Sequence, residues 1–136
     1  MANEKNKNIQ EVFLETANRF PNNSALIYKE EKISYIDLLQ KSSSFSSKPL
    51  YSKPIAICIT NPIDYVATYL GILFHGGIVI PMPTKTTLDN VLWILETTDC
   101  STIITDRADI LKDLKLNLYQ VIATDAAFIK RDDLLR

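Results

Sequence analysis

The sequence contains one histidine, and its position beside two of the three glycines is the first place to look for chemistry. His75 precedes Gly76 and Gly77 at the end of an apolar, helix-forming stretch, and a short β-branched run and two prolines follow. This junction is compatible with an active-site elbow, a ligand-binding loop or a corner of the fold. A histidine at a helix C-terminus interacts favourably with the negative end of the helix dipole. We therefore predict that His75 caps a helix and that the glycines serve the turn after it.

The two cysteines are the next candidates, because a thiolate can act as a nucleophile, a metal ligand or a redox group. Cys58 and Cys100 lie inside or beside apolar runs, with neither CxxC spacing nor a neighbouring histidine. Such cysteines are typically buried and behave as small apolar side chains. We predict two buried free thiols, which fits a reducing compartment such as the cytoplasm.

Three aspartates, Asp99, Asp106 and Asp125, fall near the ends of predicted strands, where carboxylates could hold a cation or accept a phosphoryl group. The stretch "DRADILKDL" offers a simpler role for one of them. Asp106 stands where a helix N-cap is expected, and Asp109 stands three residues later, where a carboxylate favours the helix N-terminus. We therefore interpret Asp106 as a helix cap and Asp99 as a loop residue.

Other candidate side chains have ordinary structural interpretations. The stretch "KTT", Lys85 to Thr87, opens a predicted helix and could meet an anion, but a lone lysine at such a position is typical of solvated surface. Tyr65 and Tyr69 stand one helical turn apart, which favours packing against a neighbouring element. The sequence has no GxGxxG, GxxxxGK[ST] or GxSxG motif. We assign no catalytic residue and no metal ligand, and the sequence does not identify cofactor-binding residues.

Composition is that of an ordinary globular protein, and we expect a single α/β domain over residues 1–136. The chain is 46% hydrophobic and 23% charged, and 15 basic against 16 acidic residues give a formal charge of -1. This balance gives no electrostatic reason to expect nucleic acid or an anionic membrane as a partner. No window reaches the roughly 18 apolar residues of a membrane span, and the N-terminal ten residues are polar. We expect a cytoplasmic protein, and the sequence leaves its oligomeric state open, self-association included.

The elements that must position these residues alternate regularly from Pro54 onward. Apolar runs short enough to be strands buried on both faces are separated by helical patterns, as in "IAICI", "IVI", "TIIT" and "LYQVIA". Parallel strands need crossover connections, which place helices on both faces of the sheet. We predict a three-layer α/β unit with a mainly parallel sheet of about four strands flanked by helices. The charged "KEEK" between two apolar runs predicts an N-terminal hairpin at the edge.

Helix starts follow the same local chemistry. Ser34, Asn61 and Thr87 offer the side-chain oxygens of N-caps, and Ser34 is followed at the N3 position by Asp37. Ligands of parallel α/β sheets usually bind at the carboxyl ends of the strands. The loops to consider are therefore "TNP", "PMPTKTT", "TDR" and "ATDAA".

The order of these elements, from roughly Ile9 to Thr105, resembles the start of the adenylate-forming enzymes. This AMP-binding superfamily includes acyl-CoA synthetases, luciferases and peptide-synthetase adenylation domains. Members commonly open with a helix that ends at a proline, an "A-L" strand and an "SY-x-x-L" helix. They continue with a strand, an "N-x-x-(D/E)-(Y/F)" helix and an "x-G-G/A-x-x-x-P" corner. The matching residues here are Pro21, Ala25, Leu26, Ser34, Tyr35, Leu38, Asn61, Asp64, Tyr65, Gly76, Gly77 and Pro81.

The resemblance implies a ligase that uses ATP and Mg²⁺ to convert a carboxylic acid to an acyl-adenylate and then transfers it to coenzyme A or carrier-protein pantetheine. The family's phosphate loop ending in Pro-Lys-Gly, its Thr-Gly-Asp segment and the subdomain with its catalytic lysine have no counterpart in this sequence. We therefore expect this chain alone to bind none of these cofactors. The resemblance implies an N-terminal fragment or subunit, inactive by itself, whose partner is the remainder of the ligase on the same or a separate chain.

Two other interpretations stay open. The chain could be a freestanding noncatalytic module that kept the fold to bind a partner, or a flavodoxin-like receiver unrelated to ligases. Exposed apolar surface separates the first from a ligase fragment, because a fragment should expose an apolar face where the rest of the enzyme packs. The sequence leaves open whether this chain alone is an enzyme, which acid is activated and which thiol accepts it.

Overall fold

The computed structural model describes residues 7–45, 54–114 and 119–128. Its helices are α1 (Ile9–Arg19), α2 (Tyr35–Ser43), α3 (Pro62–Phe74), α4 (Leu88–Thr97) and α5 (Ala108–Asp113), with a 3-10 helix at Thr124–Ala127. Its strands are β1 (Ser24–Tyr28), β2 (Glu31–Ser34), β3 (Ile55–Cys58), β4 (Val79–Pro81), β5 (Thr102–Thr105) and β6 (Gln120–Ala123). Across these ranges, no helix has the length and apolar character needed to cross a lipid bilayer.

Four parallel strands form the central sheet in the order β4-β3-β5-β6. Ile55 pairs with Val79 on one side and with Thr102 on the other, and Thr102 pairs in turn with Gln120. The inner strands β3 and β5 are buried at every residue, whereas the outer strands β4 and β6 contain no fully buried residue. The predicted parallel sheet of about four strands is therefore confirmed.

Helices cover both faces of this sheet, so the predicted three layers are confirmed as well. Successive strand residues point to opposite faces, and this alternation divides the core into two clusters. The first cluster includes Ala56, Cys58 and Ile103 of the sheet. Val91 and Leu95 of α4, Ile110 of α5 and Leu114, the residue after α5, belong to the same cluster. The second includes Ile55, Ile57 and Ile104 of the sheet with Ile72 of α3 and with Phe45 and Ala127.

The N-terminal hairpin forms a sheet of its own. The sequence places it at the edge, and among the described residues β1 and β2 pair with each other and do not extend the parallel sheet. Leu26 and Ile33 pack against a third cluster, built on Leu38, Ala67 and Leu70 of α2 and α3. The hairpin turn has no glycine, and Lys29 takes the left-handed conformation at φ 55° instead. Side-chain packing therefore holds the hairpin in place.

The three predicted N-caps are confirmed. Ser34 Oγ and Thr87 Oγ1 each accept a hydrogen bond from the backbone N–H three residues later, at 3.2 and 3.3 Å. Asn61 Oδ1 accepts from the N–H groups of the second and third residues of α3, at 2.9 and 3.1 Å. Pro62 occupies the first helical position, where a missing N–H costs nothing.

The junction after α3 is a helix terminus followed by a turn. His75 is the C-cap residue, and its Nδ1 lies 2.9 Å from the carbonyl oxygen of Gly71. Gly76 and Gly77 donate their N–H groups to carbonyl oxygens of the last turn of α3, at 3.0 and 2.9 Å. This is a Schellman motif, and Gly76 supplies its left-handed residue at φ 76°. The predicted cap and turn are confirmed, so the junction has an architectural role.

Gly71 allows α3 to approach the chain that follows α2. A Cβ built on Gly71 would lie 2.6 Å from the Cβ of Phe45 and 2.8 Å from its Cγ. Phe45 is fully buried and stacks edge-to-face with Phe128 at 5.8 Å, so it has little room to move. The close approach of these two segments therefore requires a glycine at this position.

We predict that Gly71→Ala destabilises the chain by about 1–2 kcal/mol, as overpacking of a filled core typically does. Helix propensity alone predicts the opposite sign, because alanine in a helix interior is about 1 kcal/mol better than glycine. Urea unfolding followed by circular dichroism measures the difference. The loss should shrink in a Phe45→Leu background, whose smaller side chain can shift. A Gly71→Ala chain at least as stable as the unmodified one would show that the contact is not limiting.

Candidate functional site

The carboxyl ends of the four parallel strands lie at one edge of the sheet, and the connections after them share that edge. These connections are residues 59–61 after β3, 82–87 after β4, 106–107 after β5 and the 3-10 helix after β6. Each of these connections overlaps one of the four loops that the sequence indicates. Ligands of parallel α/β sheets bind at this edge, so its side chains form the candidate site.

Asp106 joins the ends of β3 and β5. Its carboxylate accepts hydrogen bonds from the backbone N–H of Thr60, at 2.8 and 3.1 Å to its two oxygens, and from the Thr60 hydroxyl at 2.8 Å. It also accepts from the N–H of Asn61 at 3.2 Å. Hydrogen bonds to an ionised group are stronger than neutral ones. Asp106 therefore fixes the start of α3 relative to the end of β5.

This geometry shows that the predicted role of Asp106 as a helix N-cap is wrong. Helix α5 begins at Ala108, its N-cap position is Arg107, and no side-chain hydrogen bond caps it. The Asp106 carboxylate is used instead by the connection after β3, whose N–H groups lie 46 and 45 residues earlier in the chain. An aspartate shortly before a helical pattern is a common N-cap. Only the fold reveals the stronger, distant set of donors.

Arg107 holds the loop after β4. Its Nη1 donates to the carbonyl oxygens of Thr84, at 3.3 Å, and Thr86, and lies 3.5 Å from Cys58 Sγ. Its Nε and Nη2 donate to the two carboxylate oxygens of Asp109 at 3.1 and 2.6 Å. Each guanidinium nitrogen is thus engaged by the protein. Arg107 ties the loop to β3 and α5, and it is not oriented to receive an anionic ligand.

The Arg107–Asp109 pair shifts both pKa values. The hydrogen bond from Arg107 is the main cause that lowers the pKa of Asp109 below its ordinary value, and burial opposes it. The same hydrogen bond is the main cause that raises the pKa of Arg107 above its ordinary value. Both groups therefore stay charged near neutral pH. Because the Asp109 side chain is 49% exposed, the pair contributes no more than about 1 kcal/mol to stability.

Cys58 lies at the end of β3 beside Arg107. It is fully buried, and burial raises the pKa of its thiol, an effect that the hydrogen bond from Arg107 partly offsets. The Thr105 hydroxyl donates to the Cys58 carbonyl oxygen at 2.6 Å and accepts from the Arg107 N–H at 3.0 Å. The predicted buried free thiol is confirmed. A neutral, buried thiol is a poor nucleophile, so Cys58 contributes packing.

Cys100 and Asp99 lie before the amino end of β5, away from the carboxyl edge of the sheet. Cys100 is the second buried free thiol, and its Sγ donates to the carbonyl oxygens of Pro54 and Thr102 at 3.2 and 3.1 Å. Burial is the main cause that raises its pKa. A cavity of about 280 Å³ beside it is lined by Leu95, Glu96, Asp99, Cys100, Ser101 and Tyr119. The fold thus separates the amino end of β5 from its carboxyl end, where Asp106 lies.

The three aspartates that the sequence indicates are consequently not one cluster. Asp99 precedes β5, Asp106 follows it, and Asp125 lies in the 3-10 helix after β6. Within residues 7–45, 54–114 and 119–128, no group of three or more histidine, cysteine, aspartate or glutamate side chains could hold a metal ion.

The remaining sequence candidates have structural positions. Thr87 caps α4, and Lys85 is an exposed residue of the loop that precedes it. Tyr65 and Tyr69 pack against the second core cluster, which confirms the predicted packing face. The Tyr65 hydroxyl donates to the carbonyl oxygen of Met82 at 3.4 Å, and burial raises the pKa of Tyr65.

The side chains at the carboxyl edge of the sheet hold the backbone connections in place, and few of their polar groups are directed toward a ligand. A nucleotide or Mg²⁺ site needs N–H groups, cations or carboxylates that face a ligand, whereas those of Thr60, Asn61, Asp106 and Arg107 are directed at one another. The residues present therefore do not fit ATP or Mg²⁺ at this edge. The sequence indicated the loop "TDR" but not Arg107 or Thr60 individually. A basic residue next to a buried strand and two residues before a carboxylate is the signal that could have found Arg107.

A second candidate surface runs along α1. Ile9 and Val12 are 58% and 49% exposed, although the amphipathic pattern of this helix would place them inside. Together with Phe13 and Tyr35 they line an open cavity of about 390 Å³. We refer to Ile9, Val12, Phe13 and Tyr35 as the α1 face. Ala17 is the only fully buried residue of α1, so the helix leaves most of its apolar stripe uncovered by the described residues.

Comparison with known sequences identifies similar proteins. The family model of AMP-binding enzymes matches residues 13–135. The chain is similar to bacitracin synthase 1 of Bacillus licheniformis, with 27% identity over 107 residues that cover 74% of this chain and 2% of that protein. It is also similar to a long-chain-fatty-acid–CoA ligase of Bacillus subtilis (strain 168), with 27% identity over 122 residues that cover 86% of this chain and 22% of the ligase. The chain therefore spans less than a quarter of the length of either relative.

Solved structures share the fold. One is NpsA-ThdA, an artificially fused adenylation–PCP di-domain from Klebsiella oxytoca, with a TM-score of 0.77 and 19% identity over 88% of this chain and 23% of that one. The NpsA N-terminal subdomain by itself gives a TM-score of 0.77 and 19% identity, and the match covers 88% of this chain and 31% of the subdomain. The likeness supports the predicted fold.

We predict that Asp106→Ala lowers the free energy of unfolding by about 1.5–3 kcal/mol, the range for hydrogen bonds to a charged group. Asp106→Asn should cost less, because it keeps one oxygen that can accept. Asp125→Ala, an exposed aspartate after the next strand, should stay within about 0.5 kcal/mol of the unmodified chain. Urea unfolding of the four proteins provides the comparison. Equal stability of Asp106→Ala and Asp125→Ala would contradict the role assigned to Asp106.

Proposed function

The chain belongs to the AMP-binding enzyme family, and on this premise we propose that it is the N-terminal part of an ATP-dependent ligase that activates a carboxylic acid. The complete enzyme would form an acyl-adenylate and then a thioester on coenzyme A or on the pantetheine of a carrier protein. ATP, Mg²⁺ and the thiol would be bound by the remainder of the ligase, on the same or a separate chain. Under this proposal the 136 residues form one α/β domain of that enzyme and work in the cytoplasm.

The observation that carries this proposal is the α1 face. Contiguous exposed apolar surface on a small domain marks a place where another protein surface packs. Ile9 and Val12 line a cavity there with the ring of Phe13, and no described residue covers them. An independent module would be expected to expose polar residues on this side of α1. The α1 face therefore favours a ligase fragment over the freestanding binding module.

The part that this chain plays is structural. Asp106 and Arg107 fasten the connections after β3, β4 and β5 to one another, which holds the carboxyl edge of the sheet in a fixed shape. We propose that this edge forms one wall of the site in the complete enzyme. The remainder of the ligase would then supply the groups that contact the phosphates, since adenylation needs preorganised cations and amides around the developing charge.

The purified chain alone should show no ATP–pyrophosphate exchange with a panel of amino acids, aryl acids and fatty acids. Mixing or co-expressing it with the polypeptide that supplies the remainder of the ligase should restore exchange for one of these acids. The complete enzyme is the positive control, and omission of the acid is the negative one. Acid-dependent exchange by the isolated chain would refute the proposal that it needs a partner, and a mixture that never gains activity would favour the noncatalytic module.

Val12→Lys should weaken binding of this chain to the remainder of the ligase at least tenfold, because it places a charge in the α1 face. It should also reduce the fluorescence of a hydrophobic dye bound to the isolated chain. Asn18→Lys adds the same charge to an exposed position on another side of α1 and should change neither measurement. Thermal unfolding of both variants checks that they remain folded. A monodisperse monomer that binds no dye, or an equal effect of both substitutions, would contradict the role of the α1 face.

A further inference from the structure

The two outer edges of the parallel sheet, β4 and β6, differ in the backbone groups that they leave unpaired. At the β6 edge, the Gln120 N–H donates to the Ser101 carbonyl oxygen at 2.7 Å. With the parallel register Thr102↔Gln120 to Thr105↔Ala123, this bond directs the backbone groups of Gln120 and Ile122 toward β5. The N–H and C=O of Val121 and the N–H of Ala123 therefore point away from β5.

No strand pairs with this side of β6 among residues 7–45, 54–114 and 119–128. Unpaired backbone groups on a strand edge are a template for another strand, and they are costly if buried without a partner. Val121 and Ala123 are both half-buried. This edge has hydrogen-bonding capacity that the described chain leaves unused.

The β4 edge offers fewer outward N–H groups to a further strand than the β6 edge does. The Ile55 N–H donates to the Ile78 carbonyl oxygen at 2.8 Å and the Met82 N–H to the Ile57 carbonyl oxygen at 2.9 Å, so Val79 and Pro81 are the residues whose backbone faces outward. Proline has no N–H to offer a neighbouring strand, and it is typical of strands that end a sheet. β4 is three residues long, so one of its two outward residues cannot donate.

Side-chain burial agrees with this asymmetry. Val121 and Ile122 of β6 point to opposite faces and belong to the margins of the first and second core clusters. Their neighbours in β5, Ile103 and Ile104, are completely buried, whereas Val121 and Ile122 are only half-buried. Within the part of the chain that the structure describes, both apolar layers therefore end at β6. One further strand would cover both faces and satisfy the outward backbone groups together.

We propose that the outer edge of β6 pairs with a β-strand from the remainder of the ligase, which makes β6 an interior strand of a larger sheet. This inference rests on the proposed function. The occupant follows from the extent of the similarity, because the match covers 88% of this chain and only 31% of the NpsA N-terminal subdomain. Most of the corresponding subdomain thus lies outside the matched region and can supply a strand to the same sheet. The pairing uses the Val121 N–H and C=O and the Ala123 N–H.

Hydrogen–deuterium exchange of the assembled ligase tests this pairing directly. The amides of Val121 and Ala123 should exchange at least tenfold more slowly in the assembly than in the isolated chain, while the Ile122 amide, already paired with β5, should change less. Unprotected Val121 and Ala123 amides in an assembly that catalyses ATP–pyrophosphate exchange would overturn the strand proposal and leave the proposed function intact. A pair of polypeptides that neither assembles nor gains activity would overturn both.

Two proline substitutions provide a matched comparison. Ala123→Pro removes an outward N–H of β6, and the residue before it is already extended, as proline requires. Val79→Pro removes an outward N–H at the β4 edge. Ala123→Pro should weaken assembly at least tenfold while keeping the circular dichroism spectrum of the isolated chain, and Val79→Pro should leave assembly unchanged. Equal effects of both substitutions on assembly would overturn the assignment and indicate general destabilisation. A concentration-dependent dimer of the isolated chain with protected Val121 and Ala123 amides would also overturn it, because β6 would then pair with a second copy of itself.

Discussion

Burial of β3 and β5 on both faces is the constraint on which the rest of this structure depends. Parallel neighbours can be joined only by crossovers, so each connection after β3 must bring a helix to one face of the sheet. Every polar group within these two strands must also be satisfied inside the core. Thr105 illustrates this, because its buried hydroxyl donates to the carbonyl oxygen of Cys58 and accepts from the N–H of Arg107. The same constraint gathers all four strand ends at one edge.

Hydrogen bonds made by two consecutive residues, Asp106 and Arg107, hold the connections at that edge together. Asp106 is directed to the connection after β3 and Arg107 to the loop after β4, as neighbouring residues of an extended segment point to opposite sides. The N–H groups of Thr60 and Asn61 lie in the connection just before α3, and backbone N–H groups near a helix N-terminus bind phosphate in other α/β proteins. Here the Asp106 carboxylate already occupies them. At this position an anion of the protein thus takes the place that a ligand anion would take.

The sequence predicted the features that depend on neighbouring residues. Ser34, Asn61 and Thr87 cap the helices that follow them, and His75 ends α3, because each of these bonds closes within four residues. The parallel sheet was predictable from the alternation of buried runs and helices. Asp106 was assigned wrongly for the opposite reason, since its partners lie 45 and 46 residues away and no local pattern encodes them.

Long-range packing also explains what the amphipathic pattern of α1 could not show. Periodicity identifies which residues share one face of a helix, but not whether the rest of the chain covers that face. Ala17 is covered, whereas Ile9 and Val12 are not. The half-buried strand β6 presents the same situation in a sheet, where the apolar run predicts a strand but not the number of its neighbours.

These two open surfaces differ from the ordinary exposed residues of a small domain in one respect. A domain that stands alone closes its sheet edges with prolines, charges or short strands, and β4 has such a closure in Pro81. The sequence of β6, "QVIA", carries neither a proline nor a charge. One edge of the same sheet is therefore protected by its sequence, whereas the other has no such protection among residues 7–45, 54–114 and 119–128. If the chain simply tolerated exposed strand edges, β4 and β6 would be expected to have similar edge residues. The difference between Pro81 in β4 and the uncharged, proline-free β6 is better explained by a neighbouring strand on the β6 side alone.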